Sequence, residues 1–152
     1  MTVFRDLGLA LTGLVAAAAS LAGGPCTYQG AKPTVREKGR AINVAKGGMS
    51  VCTVADVAHG PRDWTTPYAI ELQARERTPA AADQAADLLL AEVFAILAGP
   101  GVGAAMSLGV LEVLVTPSID WDLEEGDTAC ATATLTAQIV HRTQGNALTP
   151  WN

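Results

Sequence analysis

Between Thr128 and Arg142 the chain alternates without a break. Ala129, Ala131, Ala133, Leu135, Ala137 and Ile139 mark one face, and Thr132, Thr134, Thr136 and Gln138 the other. A period of two sustained over that length is a β-strand with one buried face, and it commits the chain to a sheet. At about 3.3 Å per residue the strand spans about 45 Å, whereas a compact domain of this length has a diameter of about 40 Å. The length therefore predicts that part of the strand bends or projects. A projecting, threonine-lined strand offers its edge to another chain.

A second alternating run lies upstream. Tyr68, Ile70, Leu72 and Ala74 face one way, while Glu71, Gln73, Arg75 and Arg77 face the other, which predicts a strand over 68–77. Thr78-Pro79 follows at once, an N-cap threonine and a proline at the first helical position. The helix so announced runs to about Ala98 on a stripe of Ala82, Ala86, Leu89, Val93, Ile96 and Leu97, leaves Asp83, Gln84, Asp87 and Glu92 to solvent or a partner, and stops at Gly99-Pro100. Near the amino terminus, Val3, Leu7, Leu11, Leu14, Ala18 and Leu21 recur at helical spacing and predict a helix over about 2–22, ended by Gly23-Gly24-Pro25.

The segments between are less regular. Thr27 to Arg40 reads as a polar loop with a short strand near Thr34–Glu37. Ala41–Ala45 and Ser50–Val57 read as a hairpin turned at Gly47-Gly48, because glycine supplies the positive φ of a two-residue turn. "HGPRDWTTP" reads as a second loop, and Leu111–Thr116 as a strand ended by Pro117. These elements make an α+β fold, a mixed and mainly antiparallel sheet flanked by an N-terminal helix and one long central helix. The 152 residues suit a single domain spanning 1–152.

Composition narrows the function. Nearly half the residues are apolar but aromatics make up only 5%, so the core consists of small side chains closely packed. A net charge of -5 argues against a groove that tracks phosphates, which needs clustered Lys and Arg. Cys26, Cys52 and Cys130 are odd in number and widely spaced, which is no disulfide framework; Cys52 and Cys130 read as small buried hydrophobes in a reduced, cytosolic folding compartment. The apolar start resembles a secretory signal, yet Asp6 cancels Arg5 in what would be its positive region, and the helical periodicity favours a folded segment. Gly8, Thr12, Gly13 and Ser20 dilute it too far for a membrane span.

The motifs of chemistry are incomplete. Asp120, Asp122, Glu124, Glu125 and Asp127 put five carboxylates into eight residues. Counted from Asp120 as an EF-hand loop, glycine arrives one place late at Gly126 and the twelfth position is Ala131, so the cluster reads as a solvated turn rather than a calcium loop. His59 and His141 have no second ligand at metal-site spacing and read as surface or interface residues. "GGMSV" lacks the second glycine of a nucleophile elbow, and "GPGVGAA" follows a helix rather than the strand a dinucleotide loop requires. No catalytic, cofactor-binding or metal-ligating residue is assigned, and no cofactor is expected.

Two segments carry a resemblance to a family. "YAIELQARERTPAAADQAADLLLAEVFAIL" gives a strand, a proline-marked turn and a helix; "DWDLEEGDTACATATLTAQIVHR" gives an aspartate-rich loop and an alternating last strand. Together they resemble the tail terminator, or tail completion, proteins of long-tailed phages. The resemblance implies a small α/β domain that assembles as a hexameric ring on the finished tail tube, stops tube growth and presents the surface that joins the head. The partners it implies are other copies of the chain, the major tail tube protein and a head-completion or connector protein. It also implies a channel through which DNA passes without specific binding, no membrane, and a place of action at the neck of the virion after assembly in the host cytoplasm. Residues expected at subunit contacts or the channel are Arg75, Arg77, Asp120, Asp122, Glu124, Glu125, Asp127, Thr132, Thr134 and Thr136. The alternatives are another neck or head-closure protein, and a secreted or periplasmic binding domain whose first helix is a signal.

Overall fold

The alternating run forms β6 (Ala129–Thr143), which pairs antiparallel along its whole length with an equally long strand, β4 (Arg62–Glu76). The remaining strands are β1 (Cys26–Tyr28), β2 (Gly39–Lys46), β3 (Val51–Cys52) and β5 (Val110–Glu124). Helices α1 (Val3–Val15), α2 (Pro79–Ala98) and α3 (Val102–Met106) complete the chain, with a 3-10 turn at Ala19–Leu21. This computed structural model describes residues 2–30, 39–53, 60–145 and 147–151. The strand expected near Thr34–Glu37, the end of the run expected over Ser50–Val57, and His59 lie outside the described residues.

One mixed sheet has the order β1-β2-β4-β6-β5, with β3 also on β4. Among the described residues only the β1–β2 pair is parallel. The expected α+β class, mainly antiparallel with an N-terminal and a long central helix, is what the chain adopts. The last strand does not project, because β4 and β5 are each as long as it is and cover both its edges. Among the described residues the margins of the sheet are the short β1 and the long β5, and no strand pairs with the outer side of β5.

The β2–β3 hairpin is absent. Both strands run antiparallel to β4 along the same side, β2 opposite Tyr68–Arg75 and β3 opposite Trp64–Thr65, so the chain continues past Gly47-Gly48 rather than reversing. Pro67 explains the gap. Its carbonyl accepts from Gly47 N at 2.9 Å, so the N–H it lacks would have faced the same neighbour, and the ladder is interrupted there. Gly48, at φ 90°, takes the bend that results. The expected loop "HGPRDWTTP" is corrected in the same way: Arg62–Pro67 belongs to β4, since β6 supplies a partner to each of these residues.

The buried layer lies between the sheet and the helices. Tyr68, Ile70 and Leu72 from β4, Ala133, Leu135, Ala137 and Ile139 from β6, and Ile42 and Val44 from β2 pack against Val3, Leu7, Leu11 and Val15 of α1 and Leu89, Leu90, Val93 and Leu97 of α2. Each fully buried Leu or Ile there contributes about 1.5–3 kcal/mol relative to exposure. Under the start of α2 the contact is made of alanine alone (Ala74, Ala82, Ala85, Ala86, Ala129 and Ala131), which lets helix and sheet approach closely. Thr78 caps α2 as the sequence announces, its hydroxyl oxygen accepting from Ala81 N at 3.2 Å.

The first helix is shorter than its periodicity suggests. It ends at Val15, and the buried positions Ala18 and Leu21 are reached through a bend at Ala18 and the 3-10 turn. Glu92, which the sequence leaves to solvent or a partner, has a partner in that turn: its carboxylate accepts from the backbone N of Ser20 at 2.8 Å and from the Ser20 hydroxyl. Those bonds keep the Glu92 carboxyl below its usual range. Among the described residues, no helix is long and apolar enough to cross a membrane.

Candidate assembly interface

The helices cover one face of the sheet, and pairing register determines what the other face carries. Three cross-strand rows run over β4, β6 and β5: Arg75–Cys130–Glu124, Gln73–Thr132–Asp122 and Glu71–Thr134–Asp120. Directly paired residues share a face, so Arg75, Asp120, Asp122, Glu124, Thr132 and Thr134 stand together on the side away from α2. Thr136 continues the line, opposite Ala69, and its carbonyl accepts from the Thr116 hydroxyl at 3.0 Å. Arg75 is held in place by a 2.9 Å bond to the Thr128 hydroxyl. Glu125 and Asp127 lie exposed in the turn between β5 and β6, and Arg77 is exposed just past the end of β4. The expected candidates thus gather at one end of the sheet, with Arg77, Glu125 and Asp127 at its rim.

The acidic cluster is not a loop. Pro117 does not end β5; the strand passes through a bulge between Val115 and Ile119 and continues to Glu124. Proline is tolerated there because β5 is an edge strand, paired among the described residues with β6 alone. Beyond the bulge the strand alternates Ile-Asp-Trp-Asp-Leu-Glu, so the carboxylates share the open face and Ile119, Trp121 and Leu123 share the helix side. There they stand opposite Leu135, Ala133 and Ala131, yet α2 does not reach over them: they are 37%, 48% and 44% exposed. A shallow groove of about 180 Å³, lined by Asp83, Trp121, Asp122, Leu123 and Ala131, runs between α2 and this strand. Leu111 and Leu114, before the bulge, and Phe94 on α2 are also exposed.

An unpaired edge with large apolar side chains beside it is a surface that favours pairing with another chain. Ile119, Trp121 and Leu123 are not among the residues the sequence singles out: their alternation is visible in "SIDWDLE", but a proline at 117 has the form of a strand end.

His141 corrects a second expectation. It is fully buried rather than at a surface, on the helix side of β6. Its ring meets Phe4 edge-on at 5.3 Å, Phe4 in turn meets Trp64 at 5.5 Å, and its Nε2 bonds the Thr66 hydroxyl at 3.0 Å. Burial pushes its pKa down to about 4, against a smaller upward pull from Asp63. Behind it, Arg142 grips Asp63 with two bonds, at 2.6 and 2.9 Å, which hold the Asp63 carboxyl below its usual range. Tyr68, also fully buried, donates to the Phe4 carbonyl at 2.5 Å, and burial raises its pKa. These contacts clamp the first turn of α1 to the sheet, which is a structural task. Cys130 is buried as expected, while Cys52 is only half-buried. Among the described residues no group of three or more His, Cys, Asp or Glu is placed to hold a metal ion.

No protein-family model matches the chain, and a search of curated proteins finds no match. Among solved structures, a chain of the "Virion of native gene transfer agent (GTA) particle" is similar, at 17% identity and a TM-score of 0.46, over 91% of this chain and 92% of that one.

Proposed function

We propose that this chain is a structural virion protein, a tail terminator whose copies form a hexameric ring that caps the tail tube of a long-tailed phage and offers the surface for head joining. The observation that carries an assembly role is the β5 margin: fifteen residues with one neighbouring strand among the described residues, and three large apolar side chains left partly exposed beside it. A lone protomer gains nothing from such a margin, whereas a protein that works as an assembly buries it. What narrows the role to a terminator is the likeness of Tyr68–Leu97 and Asp120–Arg142 to that family, and those segments fold here into β4–α2 and β5–β6. The proposed ring acts by position and shape, with an acidic surface past which DNA slides because like charge suppresses adsorption. Catalysis has no part in it.

Deleting the gene in the parent phage tests this reading. The expected result is tails of uncontrolled length that fail to join heads, seen by electron microscopy and restored by the gene in trans. Tails of normal length that remain unjoined would move the protein to another place in the neck, and intact infectious particles would refute a virion role.

A further inference from the structure

Strand register defines what a chain added to β5 must look like. Beyond its bulge β5 turns Asp120, Asp122 and Glu124 to the open face and Ile119, Trp121 and Leu123 to the helix side, and among the described residues no strand pairs with its outer side. The sequence has no lysine or arginine between Thr78 and His141, so α2 and β5 bring no cation to that margin. Arg75, in the row of Glu124, lies two strands inward and is bonded to Thr128. Directly paired residues share a face, so an added strand fits when its own alternation sets cations on the open face and small or apolar side chains beside Trp121 and Leu123.

Residues 31–38, "AKPTVREK", lie outside the described residues and have that alternation in sequence. Lys32, Thr34, Arg36 and Lys38 take the even positions, and Ala31, Pro33, Val35 and finally Glu37 the odd ones. The run 54–59, also outside the described residues, holds Asp56 and no lysine or arginine, so it lacks the cations. Proline at 33 suits an outermost strand, where the N–H it lacks faces no neighbour.

The anchors of this segment decide whose β5 it reaches. Gly30 follows β1, its N bonded to Asn43 Oδ1 at 3.2 Å, and Gly39 opens β2 opposite Arg75, level with the row of Cys130 and Glu124. At about 4.8 Å between neighbouring strands, a strand outside β5 of the same copy lies about 24 Å from β1 and about 19 Å from β2, so leaving and returning takes about 43 Å. The chain from Gly30 to Gly39 spans about 32 Å at most. The segment can therefore reach β5 only in another copy.

We propose that residues 31–38 of one copy join the sheet of the next as a strand along its Ile119–Glu124 edge, with Lys32, Arg36 and Lys38 on the face of Asp120, Asp122 and Glu124. Main-chain bonds supply the affinity of such an added strand, and the alternating side chains select it. The contact joins different surfaces of each copy and repeats around a ring when its rotation closes. This rests on the ring reading above and adds to it what covers β5.

The test uses the full chain and a variant in which residues 31–38 are replaced by a glycine-serine linker of equal length, both checked for folding by circular dichroism and studied by sedimentation velocity at low salt. The wild type is expected to sediment as an oligomer that added salt weakens, and the linker variant to have a dissociation concentration higher by about a hundredfold or more. A labelled synthetic peptide of residues 30–39, followed by fluorescence anisotropy, then binds the linker variant, and binds it at least about tenfold more weakly once Asp120→Lys/Asp122→Lys/Glu124→Lys is added. A linker variant that assembles like the wild type, or a peptide held equally by both proteins or by neither, would overturn this inference while leaving a ring built through other surfaces. A wild type that sediments only as a monomer would overturn the ring reading with it.

Discussion

Replacing His141 by glutamine removes a titrating ring that the fold buries neutral beside Phe4. The unfolded chain binds a proton there with a pKa near 6.5, the folded chain only near 4. Between those values the unfolded state holds more protons, so stability falls as the pH falls. The full effect is about 3 kcal/mol, at about 1.4 kcal/mol per pH unit, of which about 2 kcal/mol is lost between pH 6.5 and pH 5. Asp63 adds little in this window, because its lowered pKa places its own loss of stability below pH 4. Urea unfolding of the wild type and of His141→Gln at pH 7.5 and pH 5 isolates the ring, since every other titrating group cancels in the comparison. The variant is expected to be less stable at pH 7.5, having lost the Thr66 bond and the packing of the ring, but to lose about 2 kcal/mol less on acidification. Equal losses in the two proteins, or a wild type that gains stability at pH 5, would refute a buried neutral imidazole.

Other positions give narrower tests. Gly8→Ala puts a methyl 2.0 Å from the Tyr28 ring; overpacking of about 1–3 kcal/mol outweighs the helix-propensity gain of about 1 kcal/mol, so thermal unfolding should show a net loss. Thr78→Ala removes the cap of α2 and is expected to cost about 1 kcal/mol in urea unfolding, with no effect on assembly. Trp121→Ser changes an exposed side chain, so the protomer's stability should move by about 0.5 kcal/mol or less, while sedimentation shows weaker oligomers; unchanged oligomers would remove Trp121 from the contact.

The parts of the fold that were legible in the sequence are those whose signals are local. Thr78, Pro79 and Gly99 mark both ends of α2 by backbone chemistry that needs no neighbour, and the alternation of β6 is written residue by residue. What could not be read is pairing. Gly47-Gly48 looks the same in a hairpin turn as in a bulge opposite Pro67, and only the identity of the neighbouring strand distinguishes them. Pro117 ends a strand that is paired on both sides but is accepted on an edge, so the length of β5 depended on a sheet order that no local pattern reveals. The same ignorance misplaced the free edge. The threonines of β6 do face away from the helices, but the strand that carries the edge is the one with the carboxylates. His141 looks exposed from the sequence because it is a polar residue at a strand end, and only Phe4 and Thr66, far off in sequence, supply the contacts that bury it. The register places the acids of β5, Arg75 and the threonines on one face, which no local pattern states, and the apolar companions Ile119, Trp121 and Leu123 lie beyond a proline that looks like a strand end.

The central claim is that the outer side of β5 is a contact between subunits. Hydrogen–deuterium exchange resolved to residues 119–124 tests it most directly, with the assembled protein compared with the same protein dissociated by salt. Slow exchange in the assembly and fast exchange in the dissociated chain is the expected result. Equally fast exchange in both states would mean that the edge stays open to water, and the contact must then be sought elsewhere on the molecule.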